Sequence, residues 1–484
     1  MFRGAFGSFV IAWLAACAPS EPAPSSPGAP SGDLGSSTAN APGSRPRLVL
    51  PADTNLLFVS LDTTRADRLS CYGHSRPTTP NLDRLAAEGH RFVNAYTPMP
   101  TTLPSHASMF TSLHPLELGV LRNLQVVPSE ANTLAERLKA AGFATGAFVG
   151  AVPLDAQFGL NQGFDVYQGP RKRPERRAAP VRKEAAKWLA EHASERFFCF
   201  VHFYDAHAPY DPPNDALGDA ARAQVGAPAG AFATDPRVDC GFIKPPAELA
   251  SDGLAATALA YEAEIAYADA ELGLLLDELR ASGVLARTLV VVTSDHGETL
   301  DELVATHGYA FDHGEFLHRR ELNIPFVLRL PDASSPVAPG VHPEVVSTLD
   351  FLPTLLELLG APCAPPFGGR SLSPLLVGGT IASAPMISRR HDMTEWIPPR
   401  FSGEEFSLID GSWHFVESAH GHALFDFARD PFGAHDLSKQ EPQRAETFSR
   451  ALANWRKVRG RALWGEAKLS DDPDAKAALE ELGY

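Results

Sequence analysis

The chain has 484 residues, a formal net charge of −16 and 44% hydrophobic side chains. That length is too great for one ordinary core and suits a large α/β domain with a smaller appended one. The acidic balance argues against a nucleic-acid partner, which would need a broad basic face.

At the amino terminus, Arg3 precedes an apolar segment ending Leu14-Ala15-Ala16-Cys17, too short to span a bilayer as a helix. Residues 1–17 therefore read as a secretory signal. Residues 18–48 are dominated by Ala, Pro, Ser and Gly, cannot bury a core, and are expected to form a flexible tether. Leu56–Leu61 is the first apolar run suited to a buried strand, and it leads directly into Asp62. Helical periodicity follows at Asn81–Glu88, with Asn81 as a cap, and a hydroxyl-rich turn at Thr101-Thr102-Leu103-Pro104-Ser105-His106 opens a short helical pattern. Thr133–Ala141 is helical, Thr145–Val149 a strand, and the basic cluster Arg171, Lys172, Arg173, Arg176, Arg177, Arg182 and Lys183 reads as a solvated loop.

Next come a helix at Arg182–His192, a strand at Phe197–Phe203 leading to Asp205-Ala206-His207, and a long helix at Leu254–Ser282. The strand Thr288–Thr293 enters Ser294-Asp295-His296-Gly297, and Ile324–Leu330 (strand) and Leu349–Leu359 (helix) complete the series. Strands alternating with helices imply a mostly parallel sheet sandwiched by helices. From Ala382 onward shorter segments flank Asp410-Gly411, a hairpin signal, and a last helix lies around Pro442–Arg459, so residues 381–484 read as a small antiparallel α+β subdomain. Among the cysteines, Cys199 reads as a small buried hydrophobe, and Cys240 with Cys363 is a candidate bridge.

Ligands of open α/β sheets gather beyond the carboxyl ends of the strands, so Asp62, Asp295 and His296 are expected to meet at one edge. Their oxygen and imidazole donors suit one divalent cation, Ca²⁺, Mg²⁺, Mn²⁺ or Zn²⁺. A hydroxyl at a helix start, as at Thr102, is well placed to attack an anionic ester, because exposed N–H groups favour negative charge there. Thr102 as a mere helix cap is the competing reading, with Ser105 the stronger cap and an alternative nucleophile. His207 follows a core strand and should emerge at the same edge; His313 and His307 are further candidates.

The blocks Asp62-Thr63-Thr64-Arg65-Ala66-Asp67-Arg68, Cys71-Tyr72-Gly73, Thr79-Pro80-Asn81-Leu82 and Pro104-Ser105-His106-Ala107-Ser108 resemble the amino-terminal half of the sulfatase family, in the alkaline phosphatase superfamily. Phe203 to Tyr210, Tyr261 to Glu298, Asp350 to Leu356, Gly369-Arg370-Ser371-Leu372 and Leu424 to Pro431 continue the resemblance. It implies an alkaline-phosphatase-like catalytic domain over residues 49–380, Ca²⁺ as the family's usual ion, and sulfated or phosphorylated small molecules or glycans as substrates. It also implies that His207 and His313 contact the anion or protonate the leaving group.

Sulfatases carry a Cys or Ser, oxidised to formylglycine, where this chain has Thr102, and threonine lacks the chemistry for that modification. The resemblance also places a second aspartate at Thr63, an arginine at His106 and a lysine at Glu315; the last two changes remove fixed positive charge, so either His106 is protonated, a second metal compensates, or the substrate is less charged, as a phosphodiester is. The expected activity is metal-dependent hydrolysis of sulfate or phosphate esters by a threonine nucleophile. A phospho-group transferase of the envelope and a non-catalytic glycan binder are the alternatives. Leu-Ala-Ala-Cys resembles the bacterial lipoprotein cleavage box, which implies an exported chain held at the cell envelope by a lipid on Cys17, its one membrane contact.

Overall fold

A computed structural model of the chain describes residues 48–170, 175–227, 241–242, 251–332, 338–365, 367–390, 392, 398 and 401–481. Its strands are β1 (Asn55–Leu61), β2 (His90–Tyr96), β3 (Ala144–Phe148), β4 (Val166–Gln168), β5 (Phe197–Phe203), β6 (Gly241–Phe242), β7 (Thr288–Thr293), β8 (Tyr309–Ala310), β9 (Asn323–Arg329) and β10 (Gly340–Ser347). Eight of them form one sheet in the order β10-β2-β9-β7-β1-β5-β3-β4, while β6 pairs with β8. Only β9 runs antiparallel to its neighbours in the large sheet. The carboxyl ends of β1, β5 and β7 therefore open on one edge, which is where a parallel sheet presents its ligands.

The alternation along β1 explains why its sequence is apolar throughout. Leu56 and Phe58 belong to one core, with helix Thr102–Thr111 and helix Phe351–Leu358, whereas Leu57, Val59 and Leu61 belong to the core on the opposite face, with helices Pro80–Glu88, Ala178–Glu191 and Ser251–Ala281. Both faces are covered, so every position must be buried. On the first face Phe110 packs edge-on against Phe58 and Phe200, with ring centroids 5.7 and 4.9 Å apart, and this contact seats the 102–111 helix.

The smaller sheet is antiparallel, β11 (Met386–Arg390), β12 (Glu405–Asp410), β13 (Trp413–Ser418) and β14 (Gly421–Asp426), with Gly411 at φ 59° in the expected hairpin. Helix Pro442–Arg459 packs on it through Phe448 and Leu452. Its first strand meets the loop before Thr102, where Ser388 Oγ donates to the Thr97 carbonyl at 2.8 Å and the Arg389 amide to Pro98 at 2.9 Å.

Several expectations need correction. Helix 80–88 starts at Pro80 after Thr79, and Asn81 does not cap it; the Asn81 amide and side chain instead bond Asp269 at 3.0 Å. Arg176, Arg177 and Arg182 are not solvated loop charges. Arg176 donates to the carbonyls of Val149 and Gln168, Arg177 pairs with Glu264, and Arg182 with Glu271 and Glu278. Arg171, Lys172, Arg173, Cys240 and residues 1–47 lie outside the described residues. No helix among the described residues is long and apolar enough to cross a membrane.

Candidate active site

Asp62, Asp295 and His296 do meet at the sheet edge, all buried, with one donor atom from each lying within 4.8 Å of the others. Asp62 follows β1, and Asp295-His296 follows the adjacent, parallel β7, so the register brings them together. Asp295 Oδ1 accepts from the amides of Thr63 (3.2 Å) and His296 (2.9 Å). Asp62 Oδ1 and Asp295 Oδ2 have no hydrogen-bond partner although both are buried. Desolvation pushes Asp62 up to about 8, and Asp295 rises for the same reason and because of the neighbouring Asp62 charge. His296 Nδ1 donates to the Gly297 carbonyl at 3.0 Å and burial holds the ring neutral, so Nε2 keeps its lone pair on the carboxylate side, 3.2 Å from Asp295 Oδ2. Orphaned carboxylate oxygens beside an imidazole lone pair fit a divalent cation.

Thr102 is the first residue of helix 102–111 and is fully buried, its Oγ1 3.5 Å from His296 Nε2. The N-cap position is Thr101, whose side chain makes no cap bond, and Thr102 is the first helical residue. Ser105 is committed elsewhere: its Oγ donates to the Asp295 carbonyl at 2.8 Å and lies 2.9 Å from Thr97 Oγ1. His106 sits one turn below Thr102, with Nδ1 donating to the Thr102 carbonyl at 2.8 Å and Nε2 2.9 Å from Ser60 Oγ. Burial and nearby His202 hold His106 well below the ordinary imidazole range, so it does not replace an arginine's charge. The ring supports the helix start beneath Thr102.

His207 and His313 also reach the site, their rings 5.1 Å apart and His313 4.2 Å from the His296 ring. His207 Nδ1 donates to the Ala208 carbonyl at 2.7 Å, and burial together with His313 keeps the ring neutral. His313 Nδ1 lies 3.3 Å from Glu298 Oε1, while Tyr210 donates to Glu298 Oε2 at 3.1 Å. His307 stands apart from this group, stacked on Phe401 and bonded to Thr306.

The sequence alone did not reveal His202. Its Nε2 lies 2.8 Å from Asp62 Oδ2, but it occupies an inward position of an otherwise apolar strand and carries no local signal. Glu298 and Arg65 also support the site. Arg65, 1% exposed, forks onto Asp67 and reaches Glu302 and the Glu298 carbonyl.

A family model described as Sulfatase matches residues 54–361. The chain belongs to the sulfatase family. Human arylsulfatase A is 28% identical over 393 residues, covering 68% of this chain and 69% of that one. The N-acetylglucosamine-6-O-sulfatase of Bacteroides thetaiotaomicron is 25% identical over 488 residues, covering 80% and 84%. Among solved structures, the phosphonate monoester hydrolase of Agrobacterium radiobacter superposes with a TM-score of 0.66 at 21% identity, over 84% of this chain and 96% of that one. This sulfatase, an ester hydrolase by family, departs from the family pattern at Thr63. That residue, at φ 50°, is held by its amide to Asp295 and its hydroxyl to the Ala206 carbonyl at 2.7 Å. A β-branched residue in the left-handed region is strained, and strain of this kind gathers at working sites. Glu315, where the pattern has lysine, is buried, bonded to the Tyr309 hydroxyl and pushed up by desolvation.

Proposed function

We propose that this sulfatase is a divalent-cation-dependent hydrolase of sulfate or phosphate esters that attacks through Thr102. The observation that carries this reading is the convergence of Asp62, Asp295 and His296, with Asp62 Oδ1 and Asp295 Oδ2 unpartnered, beside a buried threonine hydroxyl. Asp62, Asp295 and His296 would hold the cation, which supplies charge neutralisation on the non-bridging oxygens and a lowered hydroxyl pKa. Thr102 Oγ, its hydroxyl proton released to solvent, forms a bond to sulfur or phosphorus as the bond to the alcohol oxygen breaks. His313, steadied by Glu298, gives that oxygen a proton. Water then attacks the threonine ester, losing a proton to an imidazole, and releases sulfate or phosphate with Thr102 restored. His207 Nε2, the lone-pair nitrogen of a neutral ring, suits that second proton transfer.

A neutral His106 and a buried Glu315, where the family pattern has arginine and lysine, both favour a substrate with less charge than a phosphate dianion, such as a phosphodiester. The names of the relatives favour sulfated sugars. Turnover of aryl sulfate, aryl phosphate and bis-aryl phosphate by the wild type and by Thr102→Ala, together with elemental analysis of bound metal, tests the reading. We expect metal in both proteins and a loss of at least about 10³-fold in kcat for the variant. Equal turnover by the variant overturns the nucleophile, and a protein with neither metal nor turnover is a binder.

A further inference from the structure

We propose that His202 is the positioning residue for Asp62, clamping one carboxylate oxygen so that the other is kept for the cation. This rests on the cation reading above. Gly150, just after β3, donates its amide to His202 Nδ1 at 3.3 Å. An accepting Nδ1 carries no hydrogen, so the neutral ring must hold its proton on Nε2, and that N–H donates to Asp62 Oδ2 at 2.8 Å. The carboxylate is thus asymmetric, with Oδ2 satisfied and Oδ1 buried and unpartnered. A buried carboxylate oxygen is costly unless something fills its coordination, and a fixed donor on the opposite oxygen decides which one is offered.

The architecture supporting the ring is equally specific. β1 and β5 pair Ser60 with His202, which sets the imidazole on the face of the sheet that Asp62 overhangs. Gly150 comes close enough only because it lacks a side chain: a Cβ there would stand 3.0 Å from the His202 carbonyl and 3.0 Å from Tyr204 Cβ. His106 closes the other side, its ring edge-on to His202 with centroids 5.1 Å apart.

The test uses the full chain, stripped of metal and titrated with Mn²⁺ alone, with affinity read by calorimetry and the coordination signature by electron paramagnetic resonance. His202→Leu is expected to weaken Mn²⁺ binding by about 10- to 100-fold, the usual loss when a ligand's outer partner is removed. His202→Gln, whose amide can still donate, is expected to recover most of that loss. A folded His202→Leu protein with wild-type affinity overturns the proposal, as does a Gln variant no better than Leu. A wild type that binds no Mn²⁺ overturns the cation reading and this inference with it, so the two failures differ. If the Leu variant does not fold, ¹⁵N spectra of wild-type His202, assigned by its loss in the Gln variant, decide. An Nε2-protonated neutral ring supports the proposal and an Nδ1-protonated or charged ring refutes it.

Discussion

Arg65 shows how one residue ties the motif region to the site. Its guanidinium is buried and shared among Asp67, Glu302 and the Glu298 carbonyl, while its amide accepts no compromise, donating to the Tyr261 hydroxyl at 3.0 Å. Arg65 is buried but its partners Asp67 and Glu302 keep access to water, so Arg65→Met is expected to cost about 1–3 kcal/mol, read from denaturant unfolding. The Arg65 charge holds Glu302 down to about 2, against its desolvation. A depressed carboxylate stabilises fully above its unfolded pKa and loses that contribution as pH falls from 4.5 toward 2. The Arg65→Met penalty should therefore shrink in acid. A penalty that is the same at pH 7 and pH 3 would show that packing, not charge, is what Arg65 supplies. Asp62, Asp295 and His296 were legible in the sequence because an apolar strand that ends in a carboxylate stands out locally. His202 and Glu298 were not, since their partners Asp62 and His313 become neighbours only through strand register and a chain reversal.

At the scale of elements, the strands β1, β5 and β7 were readable as unbroken apolar runs, and all three match the expected bounds to within a residue. β2, β4 and β10 were not. β2 is half polar, β4 has three residues, and β10 is an edge strand carrying Pro343, so none shows the double-sided burial that makes a central strand conspicuous. The turn after β7 also depends on tertiary contacts. A Cβ on Gly297 would stand 1.9 Å from the Arg320 carbonyl, which is backbone and cannot swing aside. Gly297→Ala must therefore displace the 295–298 turn from the 319–322 helix, dragging His296 and Asp295 with it. We expect this variant to keep the far-ultraviolet dichroism of the wild type yet lose Mn²⁺ affinity by more than about tenfold. Wild-type affinity in Gly297→Ala would mean that the cation site does not depend on this close approach.

Over the whole molecule, burial has pushed protonation equilibria in two directions, and their windows separate. The buried imidazoles are held neutral, with His202 down to about 3 and His106, His207 and His296 also lowered, so between their folded values and 6.5 the unfolded chain binds more protons and stability rises with pH. Above 6.5 these rings are neutral in both states and contribute no slope. The site's carboxylates then set the response: the folded pKa of Asp62, near 8, exceeds its unfolded value of 3.8, and desolvation raises Asp295 as well, so the metal-free protein retains a proton that the unfolded chain has released. The sign follows directly, and metal-free stability falls as pH rises from about 6.5 to 8. Cation binding must expel that proton, so it strengthens over the same interval and flattens beyond it. The difference in melting temperature with and without saturating Mn²⁺ should widen between pH 6.5 and 8. Calorimetric titrations near pH 6.5 in buffers of different ionisation enthalpy should register release of at least about one proton per ion. A melting gap that narrows across this window, or binding that releases no proton, would mean that Asp62 and Asp295 do not face the ion as charged ligands.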